Sequence, residues 1–216
     1  MDVLYQDNRI FVCLKPFGIL STDEKGGLPE LIRQELGDDQ ACVRTVHRLD
    51  QVVGGVMVLA RSRESARRLG MQVQSRSFKK EYLAVVHGQP EQPSGTLQDL
   101  LLRSKEQRRT YIVTESSKES QMAILHYTVL GCKDGLSLVK IQLETGRTHQ
   151  IRAQFSGHGH PLVGDKKYGA PPHDMDGIAL WSHSIQFIHP QTEQSLSFRA
   201  APPAQWPWSI FTEHLT

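Results

Sequence analysis

The chain has 216 residues, of which 38% are hydrophobic and 22% charged, the proportions of an ordinary globular protein and not of a disordered or collagen-like chain. At roughly 150 residues per domain, the length predicts one domain spanning residues 1–216 with a core of its own. The formal net charge of +2 says almost nothing about partners, and no apolar run approaches the ~20 residues of a membrane-spanning helix.

In chain order, residues 3–5 and 10–14 flank the polar turn Gln6-Asp7-Asn8-Arg9 and predict an opening hairpin that ends at Pro16. Pro29, then Leu31, Ile32 and Leu36, then Gly37, predict a short amphipathic helix with a proline start and a glycine stop. Residues 52–60 read as an apolar strand containing Gly54-Gly55, followed by a basic helix from the cap Ser62 to about Ser75, with Gly70 weakening its interior. Strands then follow in series at 81–87, 96–102, 110–114, 122–130, 136–143, 178–188 and 195–199, with one helix at about 148–156 capped by Thr148. Long strands with few interposed helices predict an α+β fold on a largely antiparallel sheet. The proline- and tryptophan-rich tail APPAQWPWSI reads as an ordered cap over the core.

Charge is unevenly distributed. Residues 1–60 carry six Lys/Arg against nine Asp/Glu, whereas 61–80 carry seven against Glu64 alone. Further basic islands lie at 103–109 and 147–169, each with four cationic side chains against one carboxylate. Such islands form an electrostatic footprint for a polyanion if the fold gathers them. Singly, each reads equally well as solvated surface.

The missing motifs narrow the chemistry. There is no GxGxxG or GxxxxGK loop, no HExxH and no GxSxG elbow. Cys13, Cys42 and Cys132 lie 29 and 90 residues apart, which fits neither a disulfide framework nor paired zinc ligands, and they are expected to be reduced. His158-Gly159-His160 lacks a cysteine or carboxylate at a recognisable metal spacing and is read as loop histidines. The start MDVLYQDNRI has no basic stretch followed by an apolar one, which leads us to expect a cytoplasmic protein.

What remains is carboxylate chemistry. Asp50, in Val46-His47-Arg48-Leu49-Asp50, precedes a buried strand and lies close to the glycine pair, where another strand can approach the backbone. By position alone it is as well explained as a turn former. The segment Leu143–Arg152 is unusually polar for a strand-to-helix junction and places Arg147 near a helix start. Tyr82, in KKEYLAVVHG, shares one face of its strand with Ala84 and Val86 and would by itself be core.

HRLD at 47–50 followed by GGVMVLAR, KKEYLAVVHG at 79–88, and LETGRTHQIRAQFSGHGHPLVGDKKYG at 143–169 together resemble the RluA family of pseudouridine synthases, from about residue 1 to residue 200. The resemblance implies a mixed, mostly antiparallel sheet with flanking helices and a central catalytic cleft. It implies that uridine in RNA is isomerised to pseudouridine with no cofactor and no metal. It makes Asp50 the essential aspartate, Arg48 the arginine that enters the RNA stack, Tyr82 the tyrosine that packs on the uracil, and Arg147 the basic partner of Asp50. After Asp50 the commoner Thr-Ser-Gly is replaced by Val53-Gly54-Gly55, which removes two hydroxyls beside the catalytic strand.

The implied reaction breaks a C–N glycosidic bond, turns the trapped uracil and joins its carbon 5 to the ribose. Asp50 must be ionised for this, whether it attacks the ribose or removes a ribose proton, and a guanidinium within about 4–6 Å would hold it so. The expected partner is ribosomal or transfer RNA, presented as a stem-loop. The short N-terminus is expected to leave no room for an accessory RNA-binding domain, and the protein is expected to be a monomer away from membranes. The competing readings are a non-catalytic RNA-binding or RNA-chaperone module and a metal-dependent hydrolase built on His158 and His160.

Overall fold

The computed structural model describes residues 1–173 and 175–215. Residues 1–80 with 181–201 make one compact unit, and residues 81–180 with 202–216 a second.

In the first unit, β1 (Val3–Gln6) and β2 (Ile10–Lys15) form the expected hairpin. Asp7 closes its turn: one carboxylate oxygen accepts from the backbone N–H of Arg9 at 2.7 Å and of Ile10 at 2.8 Å. The helix α1 (Leu28–Leu36) begins on Pro29 and stops at Gly37, whose φ of +64° turns the chain so that the N–H groups of residues 37 and 38 satisfy carbonyls of its last turn. The helix α2 (Arg63–Gln74) starts on Ser62, whose hydroxyl accepts from the Ser65 N–H at 3.0 Å, and it runs through Gly70 without interruption.

The strand β4 (Gly54–Ala60) is buried along its whole length. β2 pairs antiparallel with one of its edges. Its other edge is shared by a two-residue strand that the sequence pattern did not reveal, β3 (Arg44–Thr45), at Leu59–Ala60, and by β10 (Leu180–Ile188) at Gly54-Gly55. That last pairing is parallel, with Trp181 opposite Gly54 and Ser182 opposite Gly55. The glycine pair permits it. A Cβ on Gly54 would lie 2.6 Å from the Trp181 ring, and one on Gly55, whose φ is +123°, would lie 2.4 Å from the Ser182 carbonyl oxygen. β11 (Ser195–Arg199) completes the unit against β10. Ile10, Val12, Val56, Leu69, Phe78 and Phe187 are among the buried side chains where α2 covers the sheet.

The second unit contains β5 (Lys79–His87) from Glu81 onward, β6 (Ser94–Ser104), β7 (Arg109–Val113), β8 (Gln121–Lys133) and β9 (Leu136–Leu143), hydrogen-bonded in the order β5-β9-β8-β6-β7 and antiparallel throughout. The helix α3 (Gln150–Gly157) packs Ala153 with Leu101, Ala123 and Tyr168. The tail is ordered as expected: a 3₁₀ segment, Trp208–His214, buries Trp208 and Phe211. The sheet pairing is thus mixed and mostly antiparallel, with helices in the minority.

One expectation fails at the start of α3. Thr148 does not cap it; the residue before the helix is His149, in the left-handed region at φ +56°, with no side-chain cap bond. Gln150 instead braces the turn before the helix, its Oε1 accepting from the Arg147 N–H at 3.0 Å and from the Thr145 hydroxyl at 2.9 Å.

Two glycines of the first unit with different surroundings give opposite expectations. Gly55→Ala must displace backbone and hold an alanine at positive φ, so urea unfolding should show a loss of at least about 2 kcal/mol. Gly70→Ala meets nothing within 4 Å on a helix and should instead gain about 0.5–1 kcal/mol.

Candidate active site

The segment 47–50 is built by alternation. His47 and Leu49 are buried, Arg48 is exposed and Asp50 is half-buried. Each inward residue is tied down. The Ser21 hydroxyl donates to the Leu49 carbonyl at 2.8 Å and accepts from the Leu49 N–H at 3.1 Å. The Val58 N–H donates to His47 Nε2 at 3.3 Å, which places the imidazole proton on Nδ1. Burial drives the His47 pKa well below the usual imidazole value, and the Lys80 ammonium adds to this, so the ring is neutral. With every second residue fixed inward, Arg48 and Asp50 are both presented on the other side.

Beyond Asp50 the chain turns at once. The Asp50 carbonyl accepts from the Val53 N–H at 3.0 Å, and the Gln51 carbonyl accepts from the Gly18 N–H at 2.9 Å. Lys15 reaches this turn from the end of β2. Its Nζ donates to the Pro16 carbonyl at 2.9 Å and to the Gln51 carbonyl at 3.4 Å, and the side chain is fully buried. Burial pushes the Lys15 pKa down to about 8, and the Asp50 carboxylate pulls part of that back. Sequence reasoning missed Lys15, although a signal was present: it shares its face of β2 with Phe11 and Cys13, both fully buried, where a lysine is out of place unless it has a partner.

In the second unit, Tyr82 lies on β5 opposite Ile141 and is 5% exposed. Ala84 and Val86 share its face as predicted, and Leu83 and Val85 on the other face are buried as well, so β5 is covered on both sides. Arg147 sits in the turn between β9 and α3, half-buried, with Nε donating to the Met122 carbonyl at 3.1 Å. That turn is pinned to β8 through Ile124, whose N–H donates to the Thr145 hydroxyl at 2.8 Å and whose carbonyl accepts from Gln150 Nε2 at 3.1 Å. Of the four predicted residues, Arg48 and Asp50 therefore share one loop of the first unit, while Tyr82 and Arg147 belong to the second.

The basic islands divide into two kinds. Arg152 is not surface charge: with Asp165 it forms a buried two-point ion pair at 2.6 and 2.8 Å. The Arg152 and Arg109 guanidiniums stand 4.9 and 5.0 Å from the centroid of the Tyr168 ring. The Tyr168 hydroxyl accepts from the Thr110 N–H at 2.8 Å and is hydrogen-bonded to His149 Nδ1 at 2.9 Å. On α2, Arg67 and Arg68 are occupied by Glu64. By contrast Lys167 is exposed, and its pKa is lowered by partial desolvation and by the charges of Arg152, Arg103 and Arg108. The islands at 103–109 and 166–167 therefore converge. The two loop histidines are used locally, His158 with the Asp99 carboxylate at 3.1 Å and His160 with the His87 carbonyl at 3.1 Å. Among the described residues no helix is long and apolar enough to cross a membrane.

The family model described as RNA pseudouridylate synthase matches residues 9–157. The chain belongs to this family. It is 34% identical over 212 residues to the uncharacterized RNA pseudouridine synthase YhcT of Bacillus subtilis, covering 94% of this chain and 69% of the relative. Ribosomal large subunit pseudouridine synthase C of Haemophilus influenzae is 31% identical over 93% of this chain and 65% of its own length. Two solved human structures share the fold. RNA Pseudouridylate Synthase Domain Containing 1 has a TM-score of 0.79 at 21% identity, over 95% of this chain and 84% of that one; RNA Pseudouridylate Synthase Domain Containing 4 has 0.77 at 24%, over 94% and 88%. The chain is an RNA pseudouridine synthase, an isomerase, which removes the chaperone and hydrolase readings.

The buried lysine of this synthase has a measurable signature. Lys15 loses its proton near pH 8 in the fold but near 10.4 in the unfolded chain. Between those values the unfolded chain holds a proton that the folded one has lost, so rising pH favours the fold; below about 8 both hold it and the contribution is flat. Urea titrations should show the wild type gaining on the order of 1–3 kcal/mol relative to Lys15→Met between pH 7.5 and 10. Parallel curves would place the lysine elsewhere.

Proposed function

We propose that Asp50 is the catalytic carboxylate of this synthase, with Arg48, Tyr82 and Arg147 as its substrate-binding residues, and that residues 1–216 work as one catalytic domain without cofactor or metal. The observation that carries the proposal is the alternation at 47–50, which ties His47 and Leu49 inward and presents Arg48 and Asp50 together.

The chemistry requires those two residues side by side. A uridine stacked in RNA is out of reach, and extruding it costs roughly a few kcal/mol. Arg48 fills the vacancy in the stack, its planar guanidinium suited to lying against bases. Asp50 meets the ribose of the extruded nucleotide. Tyr82 packs on the uracil and holds it while the glycosidic bond is broken and the base turns. Arg147 is the basic partner of the Asp50 carboxylate. No electrons are gained or lost overall.

The RNA is held by its phosphates. Arg103, Arg108 and Lys167 support this, because the fold gathers them from separated parts of the sequence. Contacts of this kind position the strand without reading its sequence and make binding fall with salt. The substrate is a stem-loop of ribosomal or transfer RNA, in keeping with the name of the Haemophilus influenzae relative, and the protein acts as a cytoplasmic monomer.

A pseudouridine map of total RNA at single-nucleotide resolution tests this, comparing cells that lack the gene with cells carrying wild type or Asp50→Asn. One or more sites should vanish on deletion and return only with wild type. With purified protein, Asp50→Asn should lose roughly a thousandfold or more in turnover while its RNA affinity changes less than about tenfold. Full restoration of the site by Asp50→Asn would overturn the assignment.

A further inference from the structure

The first unit holds a cleft of about 440 Å³ whose lining includes Asp23, Arg33, Gln40, Cys42, Arg44 and Arg63. Its charges are not equivalent. Arg33 is committed: it makes a two-point ion pair with Asp23, at 2.8 and 2.7 Å, and its Nε donates to the Ala41 carbonyl at 3.2 Å. The ion pair joins α1 to the segment before it, the Ala41 contact ties α1 to the loop that leads into β3, and together they form a neutral, fixed wall. Arg44 and Arg63 have no such engagement among the described residues. Arg44 is exposed on β3 opposite Ala60, and Arg63 follows three residues after Ala60 at the start of α2. Two carboxylates bear on the cleft: Asp39, and Asp23, which feels the charge of Arg44 as well as that of Arg33. Three arginines against two carboxylates leave the lining cationic.

We propose that this cleft is a subsite for a backbone phosphate of the substrate RNA, gripped by Arg44 and Arg63 with the Gln40 amide as a third donor. The inference rests on the RNA-modifying function above and adds a contact that none of the three basic islands supplies by itself. A cleft with two uncommitted guanidiniums selects phosphate chemistry, because each presents paired N–H donors to two oxygens of one anion. The strand is favoured over a free nucleotide by where the cleft lies. Arg44 is six residues before Asp50 in the chain, at most about 20 Å when extended, and the intervening residues are tied down by Thr45 to the Ser21 carbonyl at 2.7 Å and by Ser21 to Leu49. A phosphate held here is therefore at a fixed distance from the presented aspartate, as a nucleotide outside the reaction centre would be.

Cys42, exposed within the cleft lining, provides a reporter. Cys13 is buried, so in a Cys132→Ser protein Cys42 is the exposed thiol that a disulfide reagent can reach. The probe is an unmodified transcript of large-subunit ribosomal RNA. Saturating transcript should slow modification of Cys42 at least fivefold, and inorganic phosphate at the same phosphate concentration should leave it unchanged. In parallel, Arg44→Ala with Arg63→Ala should reduce the slope of log affinity against log salt by about 0.7–0.9 for each phosphate contact given up. An unprotected thiol together with an unchanged slope would overturn the subsite. Equal protection by inorganic phosphate would replace the RNA strand with a small anion, which also overturns the inference. Its failure is distinguishable from failure of the functional reading, because wild-type conversion of uridine and wild-type RNA binding are measured in the same series.

Discussion

The Ser21 hydroxyl, donating to one peptide group and accepting from the same residue, is the interaction on which the proposed catalytic loop depends. A segment outside any strand cannot hold its own register, and residues 46–53 make no ladder with a neighbouring strand before Gly54. Ser21 and His47 supply the register instead, by fixing every second residue against the core side. Unsatisfied donors and acceptors at those buried positions would cost about 1–3 kcal/mol each, so the inward and outward residues cannot exchange roles. What is presented outward follows: an arginine and an aspartate, two residues apart.

The same loop is held from below by Lys15. A fully buried ammonium is expensive unless its charge is met, and here it is met by two carbonyls and by the field of Asp50. Behind the loop, the absence of a side chain at Gly54 has a steric reason. The Trp181 ring occupies the space that a Gly54 side chain would need, and its indole N–H is anchored on the Ala200 carbonyl at 2.9 Å. The glycine at 54 and the tryptophan at 181 are two parts of one packing arrangement.

Electrostatics in the second unit divide by burial. Arg152 and Asp165 are charges turned inward to build a frame for Tyr168, whose hydroxyl then orients His149. Arg103 and Arg108 lie close enough to Lys167 to disfavour its charge, a configuration that gains when an anion arrives. Counted along the sequence, Arg152 and Lys167 are alike; in the fold one is structure and the other is available to a ligand.

The hairpin at the start, both long helices, the strands of the second unit and the ordered tail were legible because each is specified by neighbours in sequence: Asp7 at its turn, Ser62 at its cap, Gly37 at its stop. The three motifs likewise identified the family and its chemistry without coordinates. The false cap at Thr148, the short strand β3, the parallel seating of β10 on Gly54-Gly55, and the buried roles of Lys15 and Arg152 were not legible. Each depends on a partner far away in the chain: Gln150 answers to Ile124, Gly55 to Ser182, Lys15 to Gln51, Arg152 to Asp165. Sequence by itself determined most of the elements that form and which residue types are on hand for the reaction, since propensity, capping and motif spacing act over a few residues. Tertiary structure decided which charges are buried and which face outward, because desolvation and pairing depend on what the fold brings alongside.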